Sequence, residues 1–203
     1  MLEEVKIGIL IAGIIISYMI GNLSPATIVG KLHGVDIRKE GSGNPGTTNV
    51  LRTLGKKAAA CTLVIDILKG FIPVIIGRMV GGELIAVCCG TAAFAGHNWP
   101  VIYKFKGGKG IATGFGMILA IDWRVGLIAL ASAVIGVLIT KRMSCGSILA
   151  AVIFSVATFI FRPRLGIWSA ILALIMIWKH RANIQRIIKG EEPPLGFLSK
   201  KKK

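Results

Sequence analysis

The stretch VKIGILIAGIIISYMIGNLSPATIV, Val5 to Val29, carries one charged residue, Lys6, in 25 positions. As a helix it would rise roughly 37 Å, more than the ~30 Å hydrocarbon core of a bilayer. A soluble helix needs a polar face, and this run has none of any width. The chain is therefore read as an integral membrane protein. Glu3 and Glu4 precede the run, where a secretory signal would carry positive charge, and no small-x-small cleavage site follows. A retained first helix is expected.

Six more apolar runs follow: Ala58 to Ile76, Leu84 to Tyr103, Ile111 to Ile121, Val125 to Thr140, Ser147 to Phe161 and Leu165 to Trp178. The expected fold is an all-α integral membrane protein of seven transmembrane helices, with the N-terminus outside and the C-terminus cytoplasmic. It forms a single domain over residues 1–203, with no internal repeat. Composition agrees, at 54% hydrophobic residues and a mean hydropathy of +0.73. The net charge of +16 would suggest nucleic acid in a soluble protein. In a membrane protein it marks cytoplasmic loops and anionic partners, and no nucleic acid is expected.

Charge placement sets the orientation. With the N-terminus outside, the inside segments are 31–57, 104–110, 141–146 and the tail from Lys179. They hold 19 Lys and Arg, against 5 outside: Lys6, Arg78, Arg124, Arg162 and Arg164. An even number of spans would put one basic cluster on the wrong side. The fourth run has only 11 residues, or ~17 Å of helix. It either starts inside the preceding glycine segment or begins below the membrane surface. Backbone free of helix bonds is tolerated there only inside protein or beside water, so Gly107 to Gly110 are expected to line a recessed, wet pocket. Cys61, Cys88, Cys89 and Cys145 lack C-x-x-C spacing and are read as packing residues, with no metal site.

Four segments carry chemistry. Gly41-Ser-Gly-Asn-Pro-Gly-Thr-Thr-Asn-Val-Leu-Arg52 combines glycines with neutral donors and a terminal cation. Such a loop can turn successive N–H groups on one anion, and Arg52 can clamp a phosphate in two-pronged fashion. Its G-x-G-x-x-G spacing does not make a dinucleotide site, because a membrane helix precedes it where a strand is required. The second segment, Gly96-His97 through Gly110, sets Lys104, Lys106 and Lys109 around bare glycines at a helix start, where free N–H groups attract anions. Gly110 after Lys109 excludes a Walker A loop. The third, Lys179 to Arg186, puts His180 and Asn183 on one helix face. The fourth is Asp66 with Lys69 inside the second run, where ionisable groups are expensive and pair or serve function. A lone histidine is often only packed, and a basic helix end is often only an anchor.

Taken in order, these motifs resemble those of the bacterial acyl-phosphate:glycerol-3-phosphate acyltransferases, the PlsY family. The first matches Gly41 to Arg52. The second matches Gly96-His97 through Pro100 to Phe105-Lys106-Gly107-Gly108-Lys109-Gly110. The third matches His180-Arg181-x-Asn183-Ile184 followed by Gly190-Glu191, and Asp66-x-x-Lys69-Gly70 is also similar. Thr47 departs from the alanine more usual in the family. The resemblance implies transfer of a fatty acyl group from acyl phosphate to the 1-hydroxyl of glycerol 3-phosphate. The products are lysophosphatidic acid and phosphate, the first committed step of bacterial phospholipid synthesis. It implies a multi-pass protein of the bacterial inner membrane with its site on the cytoplasmic face, membrane lipid around it and no cofactor.

The catalytic candidates are Ser42, His97, Lys109, His180 and Asn183. The substrate-binding candidates are Gly43, Asn44, Thr47, Asn49, Arg52, Lys69, Lys106, Gly107, Gly108 and Gly110. Gly108 is expected to be bare so that the backbone can approach a phosphate. His97, His180 or a substrate phosphate can serve as base. Direct transfer is favoured over a Ser42 acyl-enzyme, since the donor is already activated. The rival reading is a transporter of a phosphate ester or lipid, which would show an internal repeat and a midplane site. A His-x4-Asp acyltransferase is excluded, because Arg38, Ile102 and Gln185 stand five positions after the three histidines.

Overall fold

A helix in a bilayer reverses the soluble pattern: large apolar side chains face lipid, and small or polar ones face other helices. Helix α1 (Leu2–Asn22) does this. Ile7, Ile11, Ile15 and Ile16 are exposed, whereas Ser17, Gly21 and Asn22 are buried. The structure is a computed structural model of the chain and describes residues 2–195. Lys200 to Lys203, counted above with the cytoplasmic tail, lie outside the described residues.

The first apolar run was expected to be one helix to Val29; it is two. Ser24 caps α2 (Pro25–Leu32), its Oγ taking the Thr27 N–H at 3.4 Å, with Pro25 in the first turn. Proline suits a helix start and cannot continue the helix before it. The chain then forms α3 (Thr47–Thr53) and α4 (Lys56–Asn98). Helix α4 loses helical geometry at Gly81 and Gly82, where Gly82 has φ +76°. A Cβ built on Gly77 would lie 3.0 Å from the Ala86 Cα, whereas nine residues of straight helix span about 13.5 Å. The two arms of α4 therefore fold back on each other. A short 3-10 turn, Val101–Tyr103, precedes α5 (Ile111–Ile121).

The chain divides into two compact units, the first ending at Asp122 and the second beginning at Trp123. Within the first unit, bare glycines let backbones touch. A Cβ on Gly70 would strike the Thr113 carbonyl and one on Gly116 the Ile67 carbonyl, which binds the first arm of α4 to α5. Gly21 against Ala93 and Gly96 against Tyr18 bind α1 to the second arm in the same way. The second unit contains α6 (Trp123–Thr140), α7 (Met143–Phe161), α8 (Gly166–Lys179) and α9 (Arg181–Ile188), with a 3-10 turn at Pro163–Leu165. Gly136 and Gly146 set α6 against α7, and the Leu195 N–H donates to the Lys141 carbonyl at 2.8 Å.

Regular structure among the described residues is wholly helical. Among the described residues, four stretches are long and apolar enough to cross a membrane: Ile7–Leu32, Lys56–Tyr103, Trp123–Thr140 and Met143–Phe161. A fifth arises if Pro163–Lys179 and Arg181–Ile188, bent by 59°, form one span. Seven were expected. Two of the expected runs fall in the single folded-back α4, and α5 with 11 residues is short of a span. Helix α5 begins at Ile111, after Gly110 in the left-handed region (φ +81°), so the glycine segment precedes the helix and is not its first turn.

Candidate active site

The first glycine loop is held rigid by one side chain. Asn49, fully buried on α3, donates through Nδ2 to the carbonyls of Ile37 and Glu40, both at 3.0 Å. Its Oδ1 accepts the Ser42 N–H at 2.9 Å. Gly43 takes a positive φ of 67° as its N–H returns to the Glu40 carbonyl. Ser42 is exposed on this loop, its Oγ 3.5 Å from the Asn44 N–H. The Thr47 hydroxyl is buried without a hydrogen-bond partner among the described residues, and Arg52 lies exposed in the last turn of α3. Asn49 thus braces the loop from beneath and does not project from it.

The break between α1 and α2 frees a carbonyl at Leu23. Lys69 Nζ donates to it at 2.6 Å and stands 2.8 Å from Asp66 Oδ1, both side chains almost wholly buried. The same carboxylate oxygen is 3.4 Å from His97 Nδ1. His97 ends α4, and its carbonyl accepts the Gly108 N–H at 3.0 Å. A Cβ on Gly108 would fall on the His97 ring at Nε2. Glycine at 108 thus has a reason beside the expected approach of a phosphate: any side chain there would strike the imidazole. Gly107 is held as closely, by the His97 and Asn98 carbonyls and Pro100.

A small cavity, open to solvent on one side, lies between these pieces. Ser24, Arg38, Lys69, His97, Gly107 and Gly108 are among its walls. Of the residues read from sequence, Lys69, His97, Gly107 and Gly108 meet here. Lys106 is exposed, and its backbone carbonyl accepts from Arg38. Lys109 is half-buried beside Gly110, which caps α5. Arg38 was missed. It sits three residues before the glycine loop, and the only sequence signal was a cation next to that loop.

In the second unit the third motif is built around a carboxylate that sequence reasoning also missed. Glu192, only 3% exposed, accepts from Ser144 Oγ and Asn183 Nδ2 at Oε1 and from Arg186 Nε at Oε2, each at 2.7 Å. Arg142 Nε donates to its carbonyl at 3.0 Å. Burial pushes this carboxyl up, but the three hydrogen bonds and the Arg186 charge outweigh it and hold Glu192 below the usual glutamate range. The motif as read from sequence ends on Glu191, which is exposed; the neighbouring acid is the buried one. His180 is buried, with Nδ1 2.8 Å from the Met176 carbonyl.

Residues 11–190 match the family described as glycerol-3-phosphate acyltransferase. The chain belongs to that family. A glycerol-3-phosphate acyltransferase of Thermoanaerobacter sp. (strain X514) is 47% identical over 185 residues, 90% of this chain and 93% of its own. That of Clostridioides difficile (strain 630) is 42% identical over 194 residues, 90% and 93% of the two chains. The fold is similar to the crystal structure of PlsY, an integral membrane glycerol 3-phosphate acyltransferase, in its glycerol 3-phosphate form. There the TM-score is 0.88 and the identity 34%, covering 93% of this chain and 96% of that one. The lysophosphatidic acid form of the same enzyme gives a TM-score of 0.86 at 33% identity over the same shares. The family match runs through both units of this acyltransferase, and the transporter reading falls with it.

Proposed function

We propose that the protein transfers a fatty acyl group from acyl phosphate to the 1-hydroxyl of glycerol 3-phosphate, giving lysophosphatidic acid and inorganic phosphate, in the cavity beside His97. The observation that carries this reading is the Asp66–His97 pair set against Lys69 and the glycine segment. Asp66 at Nδ1 orients the ring and favours a proton-accepting Nε2 on the Gly108 side, the usual arrangement of a base and its orienting group. The substrate hydroxyl oxygen bonds to the acyl carbonyl carbon while its proton passes to His97 Nε2. The carbon–oxygen bond to phosphate then breaks, and phosphate leaves with the bonding pair.

Two phosphate-bearing substrates repel each other. Arg52, Lys69, Lys106 and Lys109 supply the opposing charge, and the loop of Gly43, Asn44, Thr47 and Asn49 supplies donors and the frame that aims them. Ser42 is a ligand and not a nucleophile. His180 and Asn183 are assigned to the reaction through the third motif. Holding reactants in a productive pose can contribute ~7–11 kcal/mol. No cofactor takes part, and the chain works as a single acyltransferase domain.

The protein purified in detergent is expected to form lysophosphatidate from palmitoyl phosphate and glycerol 3-phosphate, and not from palmitoyl-CoA. Radiolabelled donor alone, quenched under denaturing conditions, should leave no label on the protein. Equal turnover with the CoA ester, or label that vanishes in Ser42→Ala, would contradict the reading.

The chain is further assigned seven spans in the bacterial inner membrane. The arms of α4 count as two and α5 and α8 as one each, with the N-terminus outside and the site on the cytoplasmic face. The distribution of Lys and Arg supports this. On a background without native thiols, a cysteine at 163 is expected to react with an impermeant reagent added to intact cells, and one at 106 is not. The opposite pattern would reverse the orientation.

A further inference from the structure

Arg38 lines the same cavity as Lys69, His97 and Gly108 but lies outside the glycine loop that supplied the candidate ligands. Its guanidinium is fixed from two sides. Nη1 donates to the Lys106 carbonyl at 2.6 Å, and Cζ sits 4.4 Å from the centroid of the Tyr103 ring. The other two donors, Nε and Nη2, are buried and have no hydrogen-bond partner among the described residues. Those nitrogens form one edge of the planar fork, an edge that meets two oxygens of a phosphate or carboxylate side by side. Arginine cannot discard its charge by deprotonation. Buried donors left unpaired are costly, more so on a charged group.

The charges nearby indicate what completes the fork. Lys69 and Asp66 pair at 2.8 Å and cancel. Asp36 takes the Arg38 backbone N–H at 3.2 Å and lies 3.8 Å from Lys39 Nζ. No ion pair to the Arg38 guanidinium forms among the described residues. The cavity therefore keeps a surplus positive charge, presented through two parallel N–H groups in a wall shared with Lys69 and His97. We propose that the Nε–Nη2 edge of Arg38 binds the phosphoryl group of a substrate and so fixes where that substrate lies against His97. This rests on the cavity being the reaction site. Acyl phosphate and glycerol 3-phosphate both carry the group, and the fork chemistry is the same for either.

Arg38→Lys keeps the charge and much of the stem but has no two-pronged edge. With palmitoyl phosphate and glycerol 3-phosphate, its KM for one substrate is expected to rise at least ~10-fold while kcat falls less. The substrate whose KM moves is the one Arg38 holds. Inorganic phosphate, competing with that substrate, should weaken as an inhibitor by the same factor. Tyr103→Leu removes the ring against the guanidinium and leaves its edge intact, and should change either KM by less than about 3-fold. A role confined to tying the loop to Tyr103 would move both variants equally, and that result overturns the proposal. So does an unchanged KM for both substrates in folded Arg38→Lys and Arg38→Gln. Gly108→Ala drives a methyl into His97 and separates this proposal from the reading beneath it. If turnover survives that change intact, the cavity is not the reaction site. If Gly108→Ala impairs turnover and Arg38→Lys does not, only the assignment of Arg38 is wrong.

Discussion

Asp66→Asn is expected to destabilise the protein by about 3–5 kcal/mol and to abolish turnover, because it strands the Lys69 ammonium in the interior. Lys69 Nζ has Asp66 Oδ1 at 2.8 Å and the Leu23 carbonyl at 2.6 Å, and its side chain is 3% exposed. An amide of the same shape keeps a hydrogen-bond acceptor but not the charge. The same change removes the anion beside His97 Nδ1. Removing both charges is a different experiment: buried ion pairs replaced together by neutral groups are often close to neutral in stability. Asp66→Asn with Lys69→Met should therefore recover most of the thermal stability lost in Asp66→Asn and recover no activity. The two changes would show strong coupling in a double-mutant cycle. A single Asp66→Asn variant that melts in detergent with the wild-type protein, or a double variant with wild-type turnover, would defeat this account.

What could be read from the sequence follows from how each feature is encoded. Membrane helices announce themselves as apolar runs, and the runs fall on helical segments, although the first covers two helices and α5 is short of a span. The glycine segments and the Asp66–Lys69 spacing were local, and they were found. The features that were missed or misplaced depend on contacts between distant residues. Lys69 reaches a carbonyl 46 positions away, which is free only because Ser24-Pro25 starts a new helix. Arg38 is recruited to the cavity by a carbonyl 68 positions away. No periodicity records either pairing. Gly108 was found for an incomplete reason: a bare glycine says that something comes close, and here it is the imidazole of His97. The fold-back at Gly81-Gly82 was visible as a gap between apolar runs, although length and composition count α4 as one stretch.

Glu192 shows the same limit, since two adjacent acids cannot be told apart until the chain turns. Its Oε1 holds Ser144, 48 positions away, and Asn183; its Oε2 holds Arg186. Glu192→Gln offers one oxygen and one NH2 where two oxygens now meet three donors. Whichever way the amide turns, a donor faces a donor, and the loss is expected to be about 2–3 kcal/mol. Either Asn183 or Arg186 then loses its acceptor, which loosens the segment that carries Asn183, so activity should fall even at temperatures where the variant stays folded. The pH dependence has a definite sign. The folded carboxyl titrates below its ordinary value of 4.5. Its charge-linked stabilisation is therefore fully present above pH ~4.5 and is lost as pH falls through the folded value. Glutamine does not titrate, so the gap in melting temperature between wild type and Glu192→Gln should be constant from pH 7 to pH ~5 and narrow below that. A gap that stays fixed down to pH ~3, or is absent at pH 7, would mean that the carboxylate charge does not hold this segment in place.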